Sequence, residues 1–271
     1  MPDPYRIKFE GLGPVSDDVL QLHIKEALAS GFPLVERSPR LRPLAVVGGG
    51  PSVLQHLMYF HQWPGDIWAI NQTASWLASK GVTKNVWMFT IDPGNDLPQW
   101  TQGVERALIA SICDPQLFKN LEGKDVNIFH TEHYAEADLK VTGGPSTACR
   151  APVLALAMGY TSVTYFGCEG SFDTVSHAYR NENEPSQRPK QLIVKAGERL
   201  YRTGPDYLVT SEYLAQIIRT FPDYFRERSG GLLRAILEHP DTWEVVALSE
   251  ALKDELDPTA KPFVFEQVTH V

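Results

Sequence analysis

The stretch LAVVGGGPSVLQ, residues 44–55, carries the strongest indication of fold in this chain. Four apolar residues run into three glycines, and Pro51 and Ser52 then open a segment with helical character. A glycine turn between a buried strand and a helix lets backbone N–H groups face an anionic ligand, and the alternative is a tight turn without one. No Lys follows as in a Walker A loop, and Val53 stands where the dinucleotide-binding pattern has its third small residue.

Short apolar runs alternate with helix-like segments from residue 44 onward. The runs are continuously apolar, as expected of strands that are covered on both faces. This alternation predicts an α/β fold with a Rossmann-like, doubly wound and mostly parallel sheet, whose ligands bind at the carboxyl ends of the strands. The predicted strands are residues 44–47, 67–70, 86–91, 126–129 and 162–166, and the predicted helices are residues 52–61, 73–79, 102–112 and 146–158.

The flanking segments complete the predicted organisation. Residues 1–43 read as an N-terminal helical extension whose one amphipathic helix starts after Ser16 and stops at Gly31. Residues 44–250 are predicted to form the Rossmann-like, ligand-binding domain, and residues 251–271 are predicted to form a C-terminal tail. The carboxyl-terminal part of this domain is predicted to contain a hairpin at residues 191–203, helices at 211–220 and 231–238, and a strand at 243–247.

The overall composition narrows the class of protein. The 271 residues carry a net charge of -8, which gives no general attraction to nucleic acid or to acidic membranes. Three cysteines, no signal-like leader and no apolar run of about 20 residues favour a cytoplasmic chain without a membrane span. The chain is also compatible with a homo-oligomer.

Polar residues end the second and third predicted strands. Asn71 can donate to and accept from a base edge, a ribose or a phosphate, or it can cap the following helix. Asp92 can bind a ribose hydroxyl or Mg²⁺, or it can be the first residue of an Asx turn. Since the second strand ends in an amide and not a carboxylate, NAD is disfavoured.

A second glycine loop, VTGGPSTACR at residues 141–150, leads into the fourth predicted helix. Its glycines offer N–H groups and its Ser and Thr side chains offer hydroxyls to a second anionic group; the candidate residues are Gly143, Gly144, Ser146 and Thr147. The alternative is again a plain turn. Because an interior proline would kink a helix, Pro152 predicts that this helix starts near residues 151–152.

The segment after the fifth strand supplies the candidate catalytic residues. Glu169 follows that strand, and Asp173 and His177 lie in the long polar loop beyond it. A His among hydroxyls and carboxylates is a candidate general base, although a lone His is more often a surface or structural residue. Asp92 and Glu169, with Asp173, are the candidate ligands of a Mg²⁺ ion.

The ordered set of these segments resembles one family. It is similar to the MptE-like 6-hydroxymethylpterin diphosphokinase family. The segments that carry the similarity are VVGGGPSVL (46–54), INQTASWLASKGV (70–82), MFTIDP (88–93), GGPSTACRAPVLALAMGYTSVTYFGCEGSF (143–172) and SHA (176–178). That domain also occurs in the motility accessory factors that glycosylate flagellin, and it is similar in organisation to bacterial sialyltransferases that use a CMP-sugar.

The resemblance implies a Rossmann-like transferase with a nucleotide donor. By position, the residues of the donor site would be Gly48, Gly49, Gly50, Pro51, Ser52, Asn71 and Asp92. Residues 143–147 would contact phosphate or acceptor, and Glu169 and His177 would lie at the reacting end. Two residues depart from the family pattern: Glu169 replaces the usual Asp, and Pro145 interrupts the second loop.

The expected activity is therefore Mg²⁺-assisted diphosphate transfer from ATP to the hydroxyl of a pterin-like alcohol. One alternative is a glycosyltransferase that uses a CMP-activated or other nucleotide-activated sugar. The others are a nucleotide-binding module without catalysis and, last, a Rossmann oxidoreductase.

Overall fold

The computed structural model describes residues 15–94, 98–172, 178 and 191–248. Seven strands form one parallel sheet in the order β5-β4-β3-β2-β1-β6-β9. These strands are β1 Pro43–Val47, β2 Asp66–Ile70, β3 Val86–Thr90, β4 Arg106–Ala110, β5 Asp125–Phe129, β6 Ser162–Phe166 and β9 Phe225–Glu227. The predicted Rossmann-like α/β fold is confirmed.

The helices lie on both faces of this sheet. They are α1 Asp17–Ala29, α2 Leu57–His61, α3 Thr73–Ser79, α4 Pro115–Asn120, α5 Thr147–Ala157, α6 Pro205–Thr220 and α7 Gly231–Glu238, with 3₁₀ turns at Pro51–His56 and Pro98–Thr101. Strands β1 to β5 step in one direction across the sheet, whereas β6 returns to the other side of β1. Since such crossovers are right-handed, α3 and α4 cover one face and α5 covers the other.

A second, antiparallel sheet lies beside the carboxyl-terminal helices. It consists of β7 Leu192–Ala196, β8 Arg199–Thr203 and β10 Glu244–Leu248, in the order β10-β7-β8. The predicted hairpin is confirmed, with its turn at Gly197. The Phe172 N–H donates to the Arg202 carbonyl at 2.9 Å, which ties this sheet to the segment that follows β6.

The core agrees with the continuous apolar runs of the sequence. Strands β1, β3, β4 and β6 are each buried at every position after the first. Leu20, Ile24 and Ala27 of α1 join the same core, so the N-terminal helix packs onto the sheet. Within the described ranges, none of the helices combines the length and the apolar character needed to cross a membrane.

The helix predicted at residues 102–112 is wrong. Residues 106–110 instead form β4, which lies between β3 and β5 in the sheet. Arg106, Ala107 and Leu108 have good helix propensity, but the apolar run is only as long as a strand and fits between two others, so tertiary packing overrides propensity. The helix of this region is α4, which Asp114 caps by accepting the Gln116 N–H at 2.7 Å.

The predicted start of α5 is also wrong. The helix begins at Thr147 and carries Pro152 in its interior, not in its first turn. Pro152 lacks the N–H that would bond to the carbonyl of Ala148, so the helix loses one internal hydrogen bond there. Pro152 and its neighbours Ala148, Cys149 and Ala151 are buried, and this packing offsets the lost bond.

The burial of Glu212 on α6 can be tested through the pH dependence of stability. Burial raises the pKa of its carboxyl to about 7, and the charge of Arg219 opposes part of that rise. Because the folded state holds the proton more tightly, the contribution is fully present below pH 4.5 and is lost as the pH rises through 7. We measure the free energy of unfolding in urea from pH 4.5 to 8. We expect its change over this range to be about 2 kcal/mol smaller in Glu212→Gln than in the parent. The exposed Glu238→Gln is the control, and equal pH dependence in the two variants would contradict the assignment.

Candidate active site at the switch point of the sheet

The candidate site lies where the strand order reverses. β1 is flanked by β2 on one side and by β6 on the other. In open α/β sheets, ligands bind at such a point, outside the carboxyl ends of the strands. Two backbone hydrogen bonds join the loops after β1 and β6: Gly48 N–H to the Phe166 carbonyl at 2.8 Å, and Gly50 N–H to the Gly167 carbonyl at 2.9 Å. The two loops therefore form one layer at this edge.

The first glycine loop encloses a carboxylate of the chain itself. The Ser52 N–H donates to Glu169 Oε1 at 2.6 Å. A Cβ on Gly50 would overlap the Glu169 carboxylate, and a Cβ on Gly48 would overlap the Gly167 carbonyl oxygen. The glycines thus admit Glu169 and the neighbouring loop. This corrects the prediction of free N–H groups, because those of Gly48, Gly50 and Ser52 are all donated within the chain.

Glu169 is buried without a full set of partners. Its residue surface is 8% exposed, and among the residues that the structure describes Oε2 has no hydrogen-bond partner. Burial raises the pKa of the carboxyl above its usual range, while the hydroxyl and the N–H of Ser52 oppose the rise. Ser52 Oγ is also buried, and among the described residues it has no hydrogen-bond partner. Glu169 is therefore a buried carboxyl group with a raised pKa, and it lies at the predicted site.

The start of α7 fixes the backbone of Glu169. The Leu233 N–H donates to the Glu169 carbonyl at 3.0 Å, and the Leu232 N–H donates to Ser171 Oγ at 3.2 Å. Gly231 has a φ of 62°, and a Cβ there would lie 2.6 Å from the Glu169 Cβ. The contacts of Gly231 and Ser171 with this segment were not predicted from the sequence. The Gly230-Gly231 pair before a helix was the pattern that could have indicated them.

Asn71 and Thr73 border the crevice on the β2 side. Asn71 adopts the left-handed conformation, with a φ of 51°. It does not cap α3, whose N-cap is Gln72 with no side-chain cap hydrogen bond. Asn71 Oδ1 and Thr73 Oγ1 are both buried, and neither has a hydrogen-bond partner within the described part of the chain. Both oxygens therefore keep an unused capacity to form hydrogen bonds at this edge, and no pattern in the sequence had marked Thr73.

Asp92 takes part in a local turn. Its Oδ1 accepts the Gly94 N–H at 3.0 Å, and its own N–H donates to Thr90 Oγ1 at 3.1 Å. This is the Asx-turn alternative. Asp92 follows β3 and Glu169 follows β6, and three strand spacings, about 14 Å, separate those strands. Glu169 turns into the first glycine loop, so the two carboxylates lie at different parts of this edge, and a Mg²⁺ site that they share stays a prediction.

The glycines of the second loop serve packing against α5. A Cβ on Gly143 would overlap the Cys149 carbonyl oxygen, and one on Gly144 would lie 2.9 Å from Cys149 Sγ. Ser146 Oγ donates to the same sulfur at 3.4 Å, and Thr147 is buried as the first residue of the helix. The loop is thereby fixed at the carboxyl edge, and its geometry needs no ligand.

An ion pair that the sequence analysis missed supports this second loop. Arg150 donates to both carboxylate oxygens of Glu132, at 2.7 and 2.8 Å, and to the Val141 carbonyl at 3.2 Å. Burial would raise the pKa of Glu132, but the hydrogen bonds and charge of Arg150 outweigh it and lower that pKa. Arg150 is buried in α5, and no local pattern in the sequence links it to Glu132.

Two of the predicted catalytic residues, Asp173 and His177, lie outside the described residues. Ala178, which follows His177 in the chain, donates its N–H to the Gly49 carbonyl at 2.8 Å. Across the described ranges, no group of three His, Cys, Asp or Glu side chains gathers to hold a metal ion.

Two cavities lie away from this edge. One of about 330 Å³ lies at the amino ends of β3 and β4, lined by Asn85, Arg106 and residues of α3. Another of about 400 Å³ lies between α1 and α4. Neither contains a predicted site residue, and the switch point remains the candidate because the unpaired buried oxygens of Asn71, Thr73 and Glu169 lie there.

Comparison of the chain with protein-family models, with curated proteins and with solved structures finds no match. The function must therefore be inferred from the residues of the switch point and their geometry.

Proposed function

We propose that this chain is a nucleotide-dependent group transferase that binds its donor at the carboxyl ends of β2, β1 and β6. One observation carries the proposal: on both sides of β1 lie buried oxygen atoms for which the described ranges provide no hydrogen-bond partner. Asn71 Oδ1 and Thr73 Oγ1 follow β2, and Glu169 Oε2 follows β6.

Unpaired buried oxygens are costly for a folded protein. Each costs about 1–3 kcal/mol when it has lost water and gained no partner. A ligand with several hydrogen-bond donors recovers that free energy. A nucleotide offers such donors on its base and ribose, and its length suits a crevice that runs across three strands.

The specific reaction that we propose is diphosphate transfer from ATP to a pterin-like alcohol, as the resemblance to the MptE-like family implies. The alcohol oxygen would form a bond to the β-phosphorus, and the bond from that phosphorus to the oxygen bridging the α- and β-phosphates would break. AMP would leave with the electron pair, and the alcohol proton would pass to a base. Glu169 is the described candidate base, and its raised pKa suits proton acceptance.

The experiment is a thermal-shift panel with ATP, CTP, CMP and a UDP-sugar, each with Mg²⁺ and with EDTA. We expect ATP with Mg²⁺ to raise the melting temperature, since a ligand at 100 times its Kd adds about 2.7 kcal/mol. Incubation with ATP and 6-hydroxymethylpterin should then release AMP. Metal-independent stabilisation by CMP alone would favour the glycosyltransferase. Stabilisation by no nucleotide would refute the proposal.

A further inference from the structure

We infer that the first glycine loop binds a hydroxyl group of the ligand through Glu169 and excludes phosphate. The inference rests on the proposed function and adds the orientation of the ligand: a hydroxyl contacts the Glu169 carboxylate at the loop after β1, and the phosphates do not contact that carboxylate. The hydroxyl belongs either to the ribose of the donor or to the acceptor alcohol.

The geometry of the carboxylate supports this orientation. Glu169 Oε1 already accepts the Ser52 N–H at 2.6 Å, and Oε2 lies against Gly50, where an added Cβ would come within 1.5 Å of it. The Leu233 N–H holds the carbonyl of Glu169 at 3.0 Å, so the residue is fixed at both its backbone and its side chain. The carboxylate thus occupies the place that a phosphate takes in other glycine loops.

The remaining oxygen determines what can bind. Oε2 is buried and finds no partner in the portion of the chain that the structure describes, and an ionised carboxylate only accepts hydrogen bonds. A phosphate brought against it would add a second negative charge in a site of low dielectric, which is strongly unfavourable. A hydroxyl donates a charge-assisted hydrogen bond to Oε2 and introduces no charge. The site therefore selects an uncharged group that donates a hydrogen bond.

The experiment measures dissociation constants by titration calorimetry on the full chain. The hydroxyl arm compares ATP with 2′,3′-dideoxy-ATP, and 6-hydroxymethylpterin with 6-methylpterin. The phosphate arm measures pyrophosphate binding to the parent and to Glu169→Ala. Glu227→Gln is the matched control, because Glu227 is also a buried carboxylate that accepts a backbone N–H, from Gly230, but lies outside the glycine loop.

In the parent, we expect loss of the hydroxyl to weaken binding in one of the two pairs by roughly ten- to a hundredfold, as for a hydrogen bond to a charged group. The pair that responds identifies the source of the hydroxyl. Glu169→Gln should reduce that difference at least threefold, and Glu227→Gln should retain it. Glu169→Ala should bind pyrophosphate at least tenfold more tightly than the parent does.

Equal binding within both pairs, with no gain for pyrophosphate, would overturn the inference. If neither ATP nor the pterin binds the parent, the proposed function fails, and the phosphate arm decides the inference by itself. If Glu169→Ala does not fold, pyrophosphate is titrated into Glu169→Gln, where removal of the charge should still improve binding. No improvement in either variant would contradict phosphate exclusion.

Discussion

Gly50→Ala should lower the free energy of unfolding by about 3 kcal/mol. Gly50 has a φ of -67° and a ψ of 156°, which alanine adopts without strain, so the backbone conformation does not oppose the substitution. The new Cβ would overlap the Glu169 carboxylate and displace it from the Ser52 N–H. Overpacking costs about 1–3 kcal/mol, and a lost hydrogen bond to a charged group adds about 1.5–3 kcal/mol.

The cause is isolated by a double-mutant cycle measured by urea unfolding. If the clash with Glu169 is the cause, Gly50→Ala should cost less than about 1 kcal/mol in a Glu169→Ala background. Gly123→Ala is the control, since a Cβ there meets nothing within 4 Å and only the φ of 78° opposes it. Additive effects of the two site substitutions would show that Glu169 does not fill the loop.

Glu132→Met should lower the free energy of unfolding by about 3 kcal/mol, and Arg150→Met should lower it less. Removal of Glu132 leaves a guanidinium whose side chain is only 9% exposed without its counter-charge. Removal of Arg150 leaves a carboxylate that is 43% exposed and can be hydrated. The two losses differ because Arg150 is more buried than Glu132, and not because of the strength of the ion pair, which both substitutions remove.

Urea unfolding of both variants tests this order. Glu105→Met, which removes one partner of the more exposed Lys124–Glu105 pair, is the control and should change stability by less than about 1 kcal/mol. Equal losses for Glu132→Met and Arg150→Met would show that the burial of Arg150 does not determine the cost.

The sequence specified the fold more completely than the site. Continuous apolar runs ended by glycine or polar residues placed β1, β2, β3, β5 and β6 within one residue at each end. β4 was missed because its Ala and Leu residues suit a helix equally well, and only its neighbours in the sheet select the strand. β9 is three residues long, too short to carry a periodic pattern.

The site was predictable in position but not in its contacts. Strand ends and glycine loops indicated the edge at which Asn71 and Glu169 lie. The contact of Glu169 with Ser52 joins residues 117 positions apart, and nothing local in either segment specifies it. The same holds for Arg150 and Glu132, whose pairing depends on how α5 packs against the segment that follows β5.

The most direct test of the proposed donor site is the Kd of ATP for the parent and for two matched variants. Asn71 and Asn85 both have a left-handed φ, of 51° and 55°, so glycine relieves strain at either position and removes one amide. Asn71 lies at the carboxyl end of β2, whereas Asn85 precedes β3 at the opposite edge. We predict that Asn71→Gly weakens ATP binding roughly tenfold, as expected for one lost hydrogen bond, while Asn85→Gly leaves the Kd unchanged. Equal Kd values for the two variants would contradict a donor site at the switch point.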